Sequence, residues 1–120
     1  MSFEHEVVDC RSDIAENAER IRAYVAGVDR AAFEQDGRTR DAVERCLERI
    51  CEAAARLGAR GPALMPSQPW AAMRGMGNRL RHAYHRIDAG VIWETTRRDL
   101  PGLEDEVRRL LAGMPDPGRP

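Results

Sequence analysis

Residues 74–86 form the densest group of chemically reactive side chains in the sequence. The order is R-G-M-G-N-R-L-R-H-A-Y-H-R, which places arginines, histidines, an amide and a phenol within one short stretch. A histidine moves protons near neutral pH, and a guanidinium holds a phosphate whose negative charge rises in the transition state. These residue types are therefore suited to cleaving RNA without a metal ion.

Spacing predicts which of these side chains share a helix face. Arg74, Asn78 and His82 are four residues apart and form one ridge of a helix, and Arg81 and His85 form an adjacent ridge. All nineteen basic residues of the chain are arginine, and an arginine-rich helix face is also typical of an ordinary solvated surface. Composition alone therefore leaves both interpretations open.

Cysteine and histidine spacing argues against a metal site. Cys46 and Cys51 lie five residues apart, and neither has a ligand at the usual zinc spacing. His82 and His85 have no acidic residue beside them at a useful offset. We therefore expect no metal. The G-M-G at 75–77 is too short for a phosphate-binding loop, and we expect no cofactor either. Three cysteines, without a secretory signal, predict a reducing, cytoplasmic setting.

Length and charge limit the class of protein. A chain of 120 residues that is 42% hydrophobic and 32% charged predicts one domain over residues 1–120, with a frayed, proline-rich tail at 113–120. No apolar run is long enough to span a membrane. The formal net charge is -1, so any affinity for nucleic acid must come from a local basic patch.

Apolar periodicity predicts the elements that position these residues. A spacing of three and four predicts a first helix from Val7 to about Val28 and a second over residues 43–57, ended by Gly58. The segments 28–37 and 58–68 predict loops, the second because of its prolines and glycines.

The second half of the chain predicts three further helices. Ser67 or Gln68 is expected to cap a helix that carries the reactive residues, with Trp70 as an anchor. Asp88 is expected to cap a short helix that carries Trp93, and Asp99 to open the last one. With no strand pattern, the sequence predicts an all-α, antiparallel up-and-down bundle of four to five helices.

The order of residues from 69 to 101 resembles the HepT family of HEPN-domain proteins. The resemblance covers roughly residues 10–112 and includes upstream landmarks around Phe33, residues 41–43 and residues 52–54. The motifs that carry it are P-W at 69–70, G-M-G-N at 75–78, H-A-Y at 82–84, V-I-W at 91–93 and D-L-P at 99–101.

This resemblance implies a homodimeric helical bundle with a ribonuclease site near the two-fold axis, built on R-x-x-x-x-H-x-Y. It also implies a toxin whose antitoxin is an MNT-type nucleotidyltransferase that adenylylates the motif tyrosine. Carried over by position, His82 is the catalytic histidine, Asn78 accompanies it and Tyr84 is the tyrosine that is modified. The nearby arginines are expected to bind RNA: Arg74, Arg79 and Arg81.

Two positions depart from the family pattern. Gly77 occupies the place of the motif arginine, five residues before His82, and Cys51 stands where glycine is usual. Glycine supplies neither charge nor donor and also weakens a helix. Three explanations stay open: an inactivating exchange, a natural protein that binds without cleaving, or a phosphate clamp supplied by Arg74, Arg79 or Arg81. We expect an impaired endoribonuclease; the alternative is an inactive protein that binds its nucleotidyltransferase and RNA.

Overall fold

The computed structural model describes residues 3–82 and 87–113. No strand occurs in these ranges, and a π-helical turn, Thr95–Asp99, joins the last two helices. The α-helices are α1 (Phe3–Val25), α2 (Arg30–Gln35), α3 (Gly37–Leu57), α4 (Arg60–Leu64), α5 (Trp70–Arg81), α6 (Ala89–Glu94) and α7 (Leu100–Ala112). The predicted all-α bundle is confirmed, with four long helices and three short ones between them.

Polar contacts show that neighbouring long helices run antiparallel. Asp13, in the middle of α1, pairs at 2.7 Å with Arg56, close to the end of α3. Glu6, nearer the start of α1, pairs at 3.1 Å with Arg60, just beyond the end of α3. Near the end of α1, Arg22 donates two hydrogen bonds to the buried carboxylate of Glu104 in α7, at 2.8 and 2.9 Å. α1 therefore packs against both α3 and α7, and α3 packs against α5 as well.

None of the helices in the described ranges combines the length and apolarity that a membrane crossing needs.

The core consists largely of the apolar stripes that the periodicity predicts. The predicted core residues that are buried in α1 and α3 are Val7, Cys10, Ile14, Ala18, Ile21, Val43, Leu47, Ile50, Ala54 and Leu57.

The prediction of a loop over residues 28–37 is wrong, because α2 lies within it. Asp29 caps this helix by accepting a hydrogen bond from the backbone N–H of Ala32 at 2.8 Å. Phe33 is completely buried, and its ring centroid lies 5.3 Å from that of Trp93. One aromatic anchor and one cap therefore stabilise a helix that is too short to show a periodic pattern.

The prediction that residues 58–68 form only a loop is also wrong, because α4 begins at Arg60. Pro62 is accommodated because it lies in the first turn, where a backbone N–H has no helical partner. The predicted cap at Ser67 or Gln68 does not form, since Pro69 precedes α5 and no side chain caps it. The Gln68 amide instead donates to Glu106 in α7 at 2.8 Å.

Asp88 caps α6 as predicted, accepting from the N–H of Gly90 at 2.7 Å. Asp99, in contrast, does not open a separate helix, and its side chain makes no capping bond. The chain stays helical from α6 into α7 through the π turn, in which the N–H of Leu100 bonds to the carbonyl of Thr95. Pro101 has no N–H to donate, which fits the wider turn before it.

Candidate functional site

The predicted site residues that the structure describes lie on α5 or directly after it. The apolar side of this helix packs on the core through Trp70, whose indole N–H donates to the carbonyl of Met65 at 2.8 Å, and through Met73, Met76 and Leu80. The opposite side is exposed and carries no acidic residue. The exposed polar residues are Arg74, Asn78, Arg79, Arg81 and His82.

Gly77 is buried where α5 approaches α3. A Cβ placed on Gly77 would lie 3.0 Å from the Cβ of Cys51 and 3.9 Å from its sulfur. A separation of 3.0 Å is closer than almost all real contacts between Cβ atoms, so a side chain at 77 would force Cys51 to shift. The two departures from the family pattern therefore meet in one contact between helices.

Arg81 occupies the space beside the missing side chain. One of its guanidinium nitrogens, Nη1, would lie 3.8 Å from a Cβ on Gly77. The other, Nη2, donates a hydrogen bond to the side-chain oxygen of Asn78. Its positive charge also acts on the Cys51 thiol. The structure thus brings Gly77, Asn78, Arg81 and Cys51 together.

His82 is exposed and lies one residue beyond α5, not inside the helix as predicted. Its backbone is extended, with φ -103° and ψ 98°, and its N–H bonds to the carbonyl of Arg79. Leu80 is the last residue of α5 that packs on the core, and a helix gains little from continuing without such packing. His82 therefore follows the helix end, next to Arg81 in the chain.

Arg74 and Arg79 extend from the exposed side of α5. Within the ranges that the structure describes, neither forms an ion pair, whereas Arg22, Arg30, Arg56 and others do. Their charges are thus not neutralised by a described carboxylate. This side of α5 is a local basic patch on a chain whose formal net charge is -1.

Two predicted residues cannot be placed. Tyr84, the expected modification site, and His85 lie outside the described residues. The described ranges also hold no group of three or more histidine, cysteine, aspartate or glutamate side chains arranged to bind a metal ion.

Cys51 is a poor nucleophile despite its position in the site. Burial raises the pKa of its thiol to about 11, although the charge of Arg81 acts in the opposite direction. A thiol with this pKa is protonated at neutral pH, and only the thiolate is a good nucleophile. Cys51 therefore contributes shape to the site and not reactivity.

An apolar groove lies beside the site between α3, α5, α6 and α7. Its volume is 230 Å³, and its walls include Leu47, Met73, Met76, Val91 and Leu103. Val91 is 44% exposed, which is unusual for a large apolar residue. The groove thus leaves an apolar surface of α5 and α6 open to another molecule.

The contact between Cys51 and Gly77 is the feature that the sequence analysis missed. Each departure from the family pattern was visible alone, but nothing in the spacing connects a residue of α3 to one of α5. The sequence did carry one signal, which is a paired change. Relative to the family pattern, position 51 gains a side chain and position 77 loses one. Such a paired exchange is expected when two positions share one limited space.

Comparison with known proteins identifies the same family that the sequence motifs resemble. The ribonuclease HepT-like family matches residues 14–110. The chain is 35% identical over 102 residues to "Probable ribonuclease HepT" of Thermococcus cleftensis, which covers 85% of this chain and 93% of the relative. It is 33% identical over 95 residues to "Putative RNase MJ1380" of Methanocaldococcus jannaschii, which covers 79% and 87%. No solved structure matches the chain significantly.

Proposed function

The chain belongs to the ribonuclease HepT-like family, and from this we propose that it is a metal-independent endoribonuclease that acts as the toxin of a toxin–antitoxin pair. The observation that carries the proposal is the exposed side of α5, which presents three arginines with no acidic residue and ends beside His82. Arginines bind phosphates, and an imidazole moves protons near neutral pH. RNA is the substrate that both features suit.

In the proposed reaction, the 2′-oxygen of a ribose attacks the adjacent phosphorus, and the bond from phosphorus to the 5′-oxygen breaks. The 2′-hydroxyl loses a proton and the 5′-oxygen gains one. His82 transfers one of these protons, which its exposed position permits. The products are a 2′,3′-cyclic phosphate and a 5′-hydroxyl end.

We expect this chain to cleave more slowly than a relative that carries the motif arginine. Gly77 offers no donor to the phosphate, and a donor that reaches the phosphate from another position is less accurately placed, which can slow an enzyme about 100-fold. Arg74, Arg79 and Arg81 bind the RNA backbone in the proposal, and Asn78 orients Arg81. Catalysis is therefore impaired, whereas binding is retained.

The proposed antitoxin is an MNT-type nucleotidyltransferase that adenylylates Tyr84. Tyr84 is two residues from His82, so an added nucleotide would bring negative charge beside the imidazole and the arginines. This would repel an RNA phosphate and block the site. The three cysteines are free and buried, which is compatible with action in the cytoplasm.

A homodimer is part of the proposal. The apolar groove beside α5 and the exposed Val91 at its wall would be covered by a second copy of the chain. This arrangement would bring two basic α5 surfaces close to one RNA. Light scattering of the purified protein is expected to give the mass of two chains, and Val91→Glu is expected to give the mass of one.

The second candidate is a catalytically inactive protein that binds its nucleotidyltransferase and RNA. Gly77 favours it, because the motif arginine is lost while the other arginines of α5 remain. The two candidates differ in one measurable property, which is turnover of RNA.

Cleavage of a random-sequence single-stranded RNA in EDTA tests the proposal. We expect slow cleavage that leaves 2′,3′-cyclic phosphate ends, and its loss in His82→Ala. His5→Ala is the matched control, because His5 lies on α1 and is expected to leave cleavage intact. A His82→Ala protein as active as the wild type would contradict the proposed role. Binding of RNA without any cleavage would support the inactive binding protein instead.

A further inference from the structure

We propose that Arg81 supplies the guanidinium that binds the scissile phosphate in this chain, in place of an arginine at position 77. This inference rests on the proposed ribonuclease function and identifies the residue that its site uses. It selects one of the three arginines that the sequence leaves open.

Position is the first argument for Arg81. Its Nη1 would lie 3.8 Å from a Cβ on Gly77, so the guanidinium already fills space next to the position from which the motif arginine would extend. This distance is an ordinary van der Waals contact, so a methyl group at 77 would leave Arg81 in place, whereas a longer side chain such as arginine would compete for the same space. An arginine one helical turn later thus reaches back to the same region of α5.

Preorganisation is the second argument. The side-chain oxygen of Asn78 accepts a hydrogen bond from Nη2 of Arg81 and thereby restricts the guanidinium. For Arg74 and Arg79, no side-chain hydrogen bond occurs within the described ranges. A donor held in place before the reaction stabilises a developing charge better than one that must first be ordered.

Charge availability is the third argument. Within the part of the chain that the structure describes, Arg81 forms no ion pair with a carboxylate. The Cys51 thiol beside it stays neutral at neutral pH because burial raises its pKa. No described carboxylate therefore competes with a phosphate for Arg81, which is next to His82 in the chain.

Arg81 undergoes no covalent change in the proposed reaction. Its remaining N–H groups donate to the non-bridging phosphate oxygens while the bond from the 2′-oxygen forms and the bond to the 5′-oxygen breaks. His82 handles a proton, as proposed above. Proton transfer and phosphate binding are thus assigned to adjacent residues.

Single-turnover cleavage of random-sequence RNA tests the assignment. We expect Arg81→Ala to slow cleavage about 100-fold to 1000-fold. Binding is measured with a strand of the same sequence made from 2′-deoxyriboses, which has no 2′-hydroxyl and cannot be cleaved, and is expected to weaken less than about tenfold. Arg109→Ala removes an exposed arginine of α7 and is the charge control, with cleavage near the wild-type rate. Circular dichroism checks that each variant is folded.

A rescue variant tests the same idea from the opposite direction. Cys51→Gly removes the Cβ that a side chain at 77 would meet, so Gly77→Arg can be accommodated together with it. Added to Arg81→Ala, this pair is expected to restore cleavage at least tenfold. A purely structural role of Arg81 would not be rescued by an arginine at another position.

The outcomes separate this inference from the ribonuclease proposal. If Arg81→Ala cleaves as fast as Arg109→Ala, Arg81 is not the clamp, although the ribonuclease proposal stands. If the wild type is inert while Cys51→Gly with Gly77→Arg cleaves RNA, the inference is overturned and the family chemistry is retained. If neither protein cleaves RNA, the proposed ribonuclease function itself is overturned.

Discussion

The indole ring of Trp70 lies directly against the backbone of Gly61, so closely that a Cβ on Gly61 would be 2.7 Å from two ring carbons. The same indole donates a hydrogen bond to the carbonyl of Met65. Trp70 is the first residue of α5, and Gly61 belongs to α4. This contact therefore fixes where the helix of the candidate site begins.

Gly61→Ala is expected to destabilise the protein by roughly 1 to 3 kcal/mol, because the new methyl group would overlap a rigid ring. Urea denaturation followed by tryptophan fluorescence measures the free energy of unfolding. Gly102→Ala is the matched control, since a Cβ on Gly102 would meet no atom within 4 Å. It is expected to be neutral or slightly stabilising. Equal losses in the two variants would contradict the packing described here.

Gly77 and Cys51 are expected to be energetically coupled. Alanine favours a helix over glycine by about 1 kcal/mol, but at position 77 its Cβ would press on Cys51. Gly77→Ala should therefore destabilise the wild type and stabilise a protein that already carries Cys51→Gly. A double-mutant cycle should give an interaction energy of roughly 0.5 to 3 kcal/mol. An identical effect of Gly77→Ala in both backgrounds would show that the helices can separate freely.

Stability is expected to fall in alkaline solution partly through Cys51. Burial raises the pKa of its thiol from 9.0 to about 11, so between these values the unfolded chain has released a proton that the folded chain keeps. The contribution is complete below pH 9.0 and is lost as pH rises through about 11, on the order of 3 kcal/mol in all.

Urea denaturation at increasing alkaline pH measures this loss. Cys51→Ala should show a shallower decline than the wild type, because the other two cysteines, whose pKa values burial also raises, are the same in both proteins. Parallel declines would mean that Cys51 does not titrate differently in the folded and unfolded states.

RNA affinity is expected to depend on salt through Arg74 and Arg79. Each phosphate contact on single-stranded RNA releases counterions and adds about 0.7 to the slope of log affinity against log salt. Arg74→Ala and Arg79→Ala should each reduce the slope by about that amount when binding is measured by fluorescence anisotropy. Arg38→Ala, which removes an exposed arginine from the first turn of α3, should not change it. An unchanged slope in the α5 variants would remove them from the RNA surface.

Adenylylation is expected at Tyr84. The chain mixed with its nucleotidyltransferase and ATP should gain adenylyl mass, which intact-protein mass spectrometry detects, and should lose ribonuclease activity. Tyr84→Phe should stay unlabelled. Tyr24→Phe is the matched control, because Tyr24 is an exposed tyrosine of α1 and its loss should leave the label in place. A label that survives Tyr84→Phe would contradict the assignment.

Helix positions and core residues were predictable because their determinants are local. The spacing of three and four puts Ile14, Ile21 and Leu47 on apolar stripes, and each of them is buried. The short helices α2 and α4 were missed, because six or five residues are too few for a period to show. Their stability comes from contacts elsewhere in the chain, such as that of Phe33 with Trp93.

The sequence by itself determined a helical bundle and a basic stretch over residues 74–86 that contains His82, since periodicity and charge are properties of neighbouring residues. Only the tertiary structure decided that Cys51 of α3 lies against Gly77 and that Arg81 reaches back beside it. The physical reason is that two packed helices share a limited volume, and which atoms fill it depends on how closely the helices approach. Spacing along one chain carries no measure of that distance.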